Sequence, residues 1–355
     1  MKQFNNLTIE LDHGGGGYKS WELLKDIRKI LKFKGAWQNC EDDAAVLNIT
    51  PLIKGDRGIK NGGNIKNPPN PLYQGGGLKL VFTTDAFIVD PIFFPGGDIG
   101  KIAMAGTIND LSVMGAKPLG ISLSIVIEEG FLKADLMKII SSIDKVSRAS
   151  GVPVVTGDTK VTEKGKIDKI EITTSGIGIA EKIISNNGAK AGDYIITSGD
   201  LGEHAIALLS KRFNYKTKIK SDSQPLNKEL EKVGKYLNAA KDPTRGGLAA
   251  NIVEIAEKSK VKIILEEESL PYKKETVAVS ELLGIDIFSL ASEGRFIAAV
   301  SPKNTNKVLK VLKKFNKEAK IIGRAEHGKG VFLKTSLGSF RPIEMPKGKL
   351  IPRIC

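Results

Sequence analysis

The sequence predicts a mixed α/β (α+β) protein built from two domains. Its 355 residues exceed the usual size of a single hydrophobic core. Hydrophobic residues make up 41% and charged residues 26% of the chain, which is ordinary for a folded globular protein. Helical and strand periodicities alternate along the chain. These observations predict two packed units that each combine helices with a sheet.

The first half of the chain carries two helical patterns and several strand patterns. Apolar residues recur at helical spacing over residues 23–31 and again over residues 136–143. Apolar residues at every second position over residues 121–127 predict a half-buried strand. Further strands are predicted at residues 79–83, 152–155 and 170–179.

Residues 51–77 differ sharply in composition from their surroundings. They contain seven Gly, four Asn and four Pro. Such a segment cannot build a packed element, so we predict a flexible insertion.

The second half repeats the mixture of elements. Strands are predicted at residues 194–198, 261–265, 296–300 and 320–323, and helices at residues 247–258 and 305–315. We therefore predict four regions: an N-terminal Gly-rich lid and helix (1–35), an N-terminal domain (36–182), a C-terminal domain (190–340) and a mobile tail (341–355).

Charge and composition exclude several classes of protein. The formal net charge is +14, but the lysines are spread widely and accompany no nucleic-acid motif, so no nucleic-acid partner is predicted. No apolar run approaches the roughly 18 to 20 residues that span a bilayer, and the N-terminus does not resemble a secretory signal. We expect a cytoplasmic protein without a membrane partner. Two cysteines, Cys40 and Cys355, are too few for a disulfide framework, so a cysteine at the last position calls for a chemical explanation.

Acidic residues beside Gly or Thr form four candidate cation-binding places. We expect them at Asp42 and Asp43, at Asp85 after a strand, at Asn109 and Asp110 in a helix, and at Asp158, Thr159 and Lys160 after another strand. Mg²⁺ prefers a few carboxylates together with substrate phosphates, so four such places suit a site for ATP with a metal ion. For each place alone, an Asp that caps a turn or helix is the better explanation.

Glycine-rich segments supply candidate anion sites. One runs through His13, Gly14, Gly15, Gly16 and Gly17, and another holds Asp98 and Lys101 before a helix. Neither matches a Walker A or Rossmann fingerprint, and a plain flexible connection explains them equally well.

Two further segments lie in the second half of the chain. Arg245 precedes a helix and can meet a phosphate or carboxylate, and Glu293 precedes a strand and can serve as a base. A helix cap and a surface turn are the respective alternatives.

The order of these motifs resembles the HypE-type hydrogenase maturation proteins of the aminoimidazole ribonucleotide synthetase superfamily. The matching segments are HGGGG from His13, FTTDAF from Phe82, DPIFFPGGDIGK from Asp90, GTINDLSVMGAKP from Gly106, EEGF from Glu128, VTGDTKV from Val155, SDSQPLN from Ser221, DPTRGGLAA from Asp242, ELLGID from Glu281 and PRIC from Pro352. The chain departs from the family pattern at Met104 and Ser223, where cysteines are usual, and at Arg295, where a lysine is usual.

The resemblance implies a fold, an activity and partners. The fold would be the two-domain aminoimidazole ribonucleotide synthetase-like fold with a flexible C-terminal tail. The activity would be ATP-dependent dehydration of a carbamoyl group on Cys355 to a thiocyanate, which provides the cyanide ligand of nickel-iron hydrogenase. A HypF-type carbamoyltransferase would load Cys355, a HypC-HypD-type scaffold complex would accept the cyanide, and the chain would form a homodimer.

The resemblance also assigns roles to residues. Cys355 would carry the substrate, Glu293 would be the base and Lys160 would polarise the thiocarboxamide oxygen. Mg²⁺ would be held by Asp42, Asp43, Asp85, Asp110 and Asp158. ATP would be held by His13, Gly14, Gly15, Gly16, Gly17, Asp98, Lys101, Asn109, Asp158, Thr159 and Arg245.

Two alternatives remain on sequence grounds. A relative in the superfamily can activate a free small molecule with the same ATP apparatus, although a terminal cysteine would then be superfluous. A non-catalytic module can dock an acidic partner through its basic surface, although all four acidic places are retained.

Overall fold

A computed structural model describes residues 17–19, 21–23, 25, 38, 43–48, 77–347, 351 and 353–355. Several predictions fall outside these residues: those for His13, Gly14, Gly15, Gly16 and Asp42, most of the helical stripe at 23–31, and positions 51–76 of the predicted insertion. The described residues form two sheets with helices packed against them.

The N-terminal sheet has the strand order β1-β2-β7-β5-β6. Its strands are β1 (Ala45–Asn48), β2 (Lys79–Phe87), β5 (Lys117–Glu128), β6 (Val154–Thr162) and β7 (Ile170–Ala180), and a small hairpin between them holds β3 (Phe93–Phe94) and β4 (Gly97–Asp98). β5 and β6 run parallel, whereas the other neighbours in the sheet are antiparallel.

Two helices pack on the inner face of this sheet. Helix α1 (Ile99–Val113) is buried on nearly all sides because it lies between the sheet and the second domain. Helix α2 (Lys133–Ser150) covers α1 with one apolar stripe and ends at Gly151, whose φ of 76° is the left-handed conformation that terminates many helices.

The outer face of the N-terminal sheet carries exposed apolar side chains. Phe82 and Ile177 are cross-strand partners there and are both 39% exposed, while Val155 on β6 is 63% exposed. All of β6 is accessible apart from its half-buried last residue. Soluble monomers seldom expose contiguous apolar surface of this kind.

The second domain contains a seven-stranded sheet with the order β14-β13-β10-β12-β8-β11-β9. Its strands are β8 (Tyr194–Thr197), β9 (Leu237–Lys241), β10 (Lys262–Glu266), β11 (Ile297–Val300), β12 (Lys320–Glu326), β13 (Val331–Lys334) and β14 (Phe340–Ile343). Its helices are α3 (Glu203–Arg212), α4 (Asn227–Val233), α5 (Gly247–Ser259), α6 (Lys274–Leu283) and α7 (Pro302–Leu312). None of the helices in the described part of the chain is long and apolar enough to cross a membrane.

The two domains share buried apolar clusters. Val113 at the end of α1 belongs to the same cluster as Leu226 and Phe296 of the second domain. Leu208 of α3 packs into the core of the N-terminal domain. The interdomain contact is therefore continuous with the cores on both sides.

The predicted fold class is confirmed, and three local predictions need correction. Asp85 was predicted to follow a strand but lies inside β2, and Asp158 to Lys160 lie inside β6. Strand β6 has polar residues on an exposed surface, so no apolar alternation marks its length. The first residues of the predicted tail form β14, which pairs with β13.

Candidate active site

Four carboxylates from both domains meet beside α1. Asp85 on β2 accepts a hydrogen bond from Thr107 of α1 at 2.9 Å. Thr83 Oγ1 lies 3.0 Å from Asp110 Oδ2 and 3.0 Å from the carbonyl oxygen of Asp43. Asp242, which follows β9, completes the group, which we call the acidic cluster (Asp43, Asp85, Asp110 and Asp242).

Burial and mutual repulsion disfavour full ionisation of the acidic cluster. Burial raises the pKa of Asp85, and burial together with the charges of Asp85, Asp242 and Asp43 raises the pKa of Asp110 well above its usual range. Burial raises the pKa of Asp242 to about 7, and the Asp43 charge adds to the rise. Lys241 forms an ion pair with Asp43 and offsets part of the negative charge. A cation at this position would relieve the remaining repulsion.

Glu293 lies in a buried loop next to the cluster. Its backbone nitrogen donates to Asp222 Oδ1 at 3.0 Å, and its side chain is 2% exposed. Burial raises the pKa of Glu293 well above its usual range, and the charges of Asp242 and Asp222 add to this effect while Arg245 opposes it. The Oε1 atom of Glu293 has no hydrogen-bond partner among the described residues. This oxygen is available to a group that enters the site.

Cys355 lies half-buried beside Glu293 and the acidic cluster. Burial raises the pKa of the Cys355 thiol well above its usual range, the charges of Glu293, Asp85 and Asp242 act in the same direction, and Arg245 opposes them. Arg245 precedes α5, and the charges of Cys355, Asp85 and Glu293 raise the pKa of its guanidinium, which places it beside these groups. The structure thus brings Cys355, Glu293 and Arg245 together with Asp43, Asp85 and Asp110.

Asn109 lies in α1, as predicted, and its side chain bonds to loops of the second domain. Its amide nitrogen lies 3.1 Å from Gln224 O and 3.3 Å from Glu293 O, and its side-chain oxygen accepts from the Leu226 nitrogen at 2.8 Å. The amide therefore ties α1 to two loops of the second domain, one of which holds Glu293.

Asp98 and Lys101 lie at the far end of α1 from the acidic cluster. Asp98 caps the helix by accepting from the Lys101 nitrogen at 3.0 Å, and it also accepts from Ser142 Oγ. The Lys101 ammonium donates to Gly96 O at 2.7 Å. Nine residues at about 1.5 Å each place Lys101 roughly 14 Å along the helix from Asp110. Within one chain, Asp98 and Lys101 therefore lie away from the acidic cluster.

Asp158, Thr159 and Lys160 are also distant within one chain. They lie on exposed β6, where Asp158 and Lys160 form a solvated ion pair at 3.5 Å. Three strand spacings of about 4.8 Å separate β6 from β2, so these side chains start roughly 14 Å from the strand of Asp85. Gly17, the one described residue of the Gly-rich segment, is buried and accepts a bond from the Trp21 nitrogen.

Arg295 is buried, and its guanidinium holds the loop that contains Glu293. It donates to Asp200 O at 3.1 Å and Gly294 O at 2.7 Å, and pairs with Glu203 at 3.3 Å. The planar guanidinium makes several directed bonds that an ammonium could not make together.

Several residues that shape the site were not among the predicted site residues. They are Asp222, which holds the Glu293 backbone, Asp242, and Lys241 beside Asp43. Asp222 and Asp242 stand in the segments SDSQPLN and DPTRGGLAA, which carry the family resemblance. Their position in these segments could have identified them as site residues.

The donor set suits a hard divalent cation that is completed by phosphate oxygens. In the described ranges, no three His, Cys, Asp or Glu side chains are arranged to hold a metal by themselves. Mg²⁺ usually takes only one or two carboxylates and completes its shell with water and substrate phosphates. The buried, mutually repelling carboxylates of Asp43, Asp85 and Asp110 fit that manner of binding.

Comparison with known proteins agrees with this architecture. Residues 41–180 match the family model of the AIR synthase related protein N-terminal domain, and residues 190–336 match that of the C-terminal domain. The carbamoyl dehydratase HypE of Rhizobium leguminosarum bv. viciae is 37% identical over 99% of this chain and 96% of its own length. The chain belongs to the carbamoyl dehydratase HypE family.

Solved HypE structures have the same fold. HypE in a HypE–HypF complex superposes with a TM-score of 0.78 at 36% identity, covering 93% of this chain and 100% of that one. HypE in complex with ATP superposes with a TM-score of 0.76 at 32% identity, covering 98% and 100%. The predicted family and the prediction of an enzyme of hydrogenase maturation are confirmed.

Proposed function

We propose that this HypE chain uses ATP to dehydrate a carbamoyl group on the sulfur of its own Cys355 to a thiocyanate. The observation that carries the proposal is the place of Cys355, which lies beside Glu293, Arg245 and the acidic cluster. The ATP-bound HypE relative supports a nucleotide in this fold. The thiocyanate would then provide the cyanide ligand for the iron centre of nickel-iron hydrogenase.

The reaction activates a poor leaving group. The carbonyl oxygen of the S-carbamoyl group attacks the γ-phosphorus of ATP, the bond to the bridging oxygen breaks, and ADP leaves as the nitrogen loses one proton. The second N–H proton is then removed while the C–O bond breaks, so that phosphate leaves and a C≡N bond forms. The net change is S-carbamoyl plus ATP to thiocyanate, ADP, phosphate and one proton. The protein has to offset negative charge and accept protons.

Glu293 is the proposed proton acceptor. Its Oε1 has no partner among the described residues, its charge acts on Cys355, and the bond from its backbone to Asp222 fixes its position. A carboxylate whose pKa is raised by burial is a stronger base, so it can take up a proton in one step and release it in the next. Arg245 lies beside the same thiol and would stabilise negative charge on the oxygen or the phosphoryl group.

We propose Mg²⁺ as the cation of the acidic cluster. Asp43, Asp85 and Asp110 would hold it, together with Asp42 from the sequence prediction. Mg²⁺ would neutralise phosphate charge when ATP is bound. Asp85 is already oriented by Thr107, which keeps its carboxylate turned toward α1.

We also propose that two chains share each site. Asp158, Thr159 and Lys160 lie on exposed β6, and the outer face of the same sheet exposes apolar side chains such as Val155 and Ile177. A second chain that covers this face would bury the apolar surface. It would also bring its own Lys160 toward the Cys355 site, which a single chain does not do.

Partners are assigned by the same proposal. A HypF-type carbamoyltransferase would load Cys355, which the HypE–HypF complex of a relative supports. A HypC-HypD-type scaffold would accept the cyanide, and the chain would act in the cytoplasm.

The test is the mass of the Cys355 peptide. Carbamoylation adds about 43 Da to the thiol, and dehydration then removes about 18 Da, as follows from the groups exchanged at sulfur. We expect the wild-type chain to reach the thiocyanate mass with Mg-ATP and Glu293→Gln to stop at the carbamoyl mass. Cys355→Ala should bind Mg-ATP and form no product. A wild-type chain that keeps the carbamoyl mass in Mg-ATP would reject the proposed activity, and full conversion by Glu293→Gln would reject only the base.

A further inference from the structure

The last residues of the sequence pair with the segment that follows β2. The Ile88 nitrogen donates to Cys355 O at 3.3 Å, and the Asp90 nitrogen donates to Arg353 O at 3.1 Å. These two bonds run antiparallel just beyond the end of β2. They fix the register of residues 353–355 against the strand that carries Asp85.

Two side chains of α3 bind carbonyl groups of the same residues. Arg212 Nη2 donates to Arg353 O at 3.1 Å and to Asp90 O at 2.5 Å, so it joins the two paired segments. His204 Nε2 lies 2.8 Å from Ile354 O. Because a carbonyl can only accept, Nε2 carries the hydrogen, and Nδ1 then accepts from the Ser221 hydroxyl at 2.8 Å. The backbone carbonyls of all three residues are thus bound.

Two side chains of this segment are recognised as well. Ile354 is 6% exposed and packs in an apolar cluster with Ala205 and Ile206 of α3. The Arg353 guanidinium pairs with Asp168, between β6 and β7, at 2.7 Å. This ion pair holds the pKa of the Asp168 carboxyl below its usual range.

We propose that Arg212, His204 and Asp168 form a receptor for residues 353–355 and are positioning residues that hold the Cys355 sulfur at the site. None of the three has a place in the proposed chemistry, and each contacts the segment through atoms other than the thiol. The bonds to carbonyls select the register of the segment, whereas Asp168 selects the arginine. The consequence for catalysis rests on the proposed function, but the binding itself does not.

The contacts also indicate a receptor that releases its segment. The Asp168–Arg353 pair is partly exposed, with side chains 48% and 31% accessible, so it adds only modest stability. A few hydrogen bonds and one partly exposed ion pair bind residues 353–355 weakly enough to let this segment leave the receptor and return to it.

Alkylation of Cys355 measures this receptor without ATP or a partner protein. The full-length chain is treated with iodoacetamide under native conditions, and the Cys355 peptide is quantified by mass spectrometry separately from the Cys40 peptide. We expect slow modification in the wild type. Asp168→Asn should accelerate it about 2- to 5-fold, as expected for loss of an exposed pair. Arg212→Gln should accelerate it about 10-fold or more, as expected for loss of charged hydrogen bonds.

Two further variants separate the receptor from general loss of structure. Asp144→Asn breaks an exposed pair with Arg148 on α2, away from residues 353–355, and should leave the rate unchanged. Asp168→Arg and Arg353→Asp should each give fast alkylation, and the double variant with reversed charges should be slow again. Wild-type rates in both Asp168→Asn and Arg212→Gln, or a double variant as fast as its parents, would overturn the receptor. Slow alkylation without any dehydration would keep the receptor and reject the proposed function.

Discussion

Glu229 on α4 is a buried carboxyl group whose ionisation opposes folding. It is 4% exposed, and burial raises its pKa to about 7 although Arg295 acts in the opposite direction. Because the folded-state pKa lies above the unfolded value, the folded chain holds this proton more tightly. The resulting stability is fully present below the unfolded pKa of about 4.5 and is lost as the pH rises through about 7.

Glu229→Gln should therefore change how stability depends on pH. The amide resembles the protonated acid, so the variant should match the wild type near pH 4 and exceed it by up to about 3 kcal/mol near pH 8. Urea denaturation at both pH values measures the difference. Glu231→Gln, at an exposed position of the same helix, is the control and should show no such trend. A constant difference between Glu229→Gln and the wild type across this range would contradict the assignment.

Residue types predicted part of the site, and the reason is chemical. Asp85, Asp110 and Cys355 were predicted as a set, because each Asp alone is explained by a turn or helix cap, and the structure brings them together. Asn109 could not be separated from a nucleotide ligand by type, because an amide can bridge two loops equally well. His204 was not predicted, because only the folded structure shows that its ring bonds to the carbonyl of Ile354.

At the scale of elements, the crossing of α1 and α2 depends on Gly100. A Cβ placed there would lie 2.6 Å from the carbonyl oxygen of Ile139 and 2.8 Å from its Cγ2. The backbones of the two helices therefore approach closely at this point. The same contact places Ser142 on Asp98, the cap of α1.

Gly100→Ala should destabilise the chain by about 1–3 kcal/mol, because the added methyl group forces two packed helices apart. Gly106→Ala in the same helix is the matched control, since its nearest neighbour would be the Phe87 ring at 3.1 Å and alanine gains helix propensity. Chemical denaturation of both variants measures the effect. Equal stability of the two variants would show that the helix crossing tolerates a side chain.

Elements were predictable where one face meets the core and the other meets water. The half-buried strand at 121–127 lies in β5, and the helical stripe at 136–143 lies in α2. Helix α3 was not predicted because eight of its ten residues are buried, which leaves no polar face to reveal a period. Strand β9 was missed for a related reason, since it is short and packs between β11 and the interdomain contact.

At the scale of the whole molecule, the shared-site proposal predicts complementation between inactive chains. Lys160→Ala and Cys355→Ala should each be inactive alone. In a mixed dimer, the intact Lys160 of the Cys355→Ala chain would act on Cys355 of the Lys160→Ala chain. Co-expression should restore thiocyanate on about half of Cys355, the share found in mixed dimers when two-fold dimers form at random.

The control replaces the Cys355→Ala partner by a chain that carries both substitutions. This partner lacks Lys160 and should restore nothing. Mass spectrometry of the Cys355 peptide reads both mixtures. Equal yields from them would show that Lys160 does not act across chains.

The buried contact between the domains also determines what can move. Rotation about a hinge would pull Val113 away from Phe296 and Leu208 out of the N-terminal core, exposing apolar surface to water. Departure of residues 353–355 breaks a few hydrogen bonds and one partly exposed ion pair, and it uncovers the side chains of Ile354 and Cys355. Exchange at this site therefore requires only a local opening, which leaves the buried contact between the two domains intact.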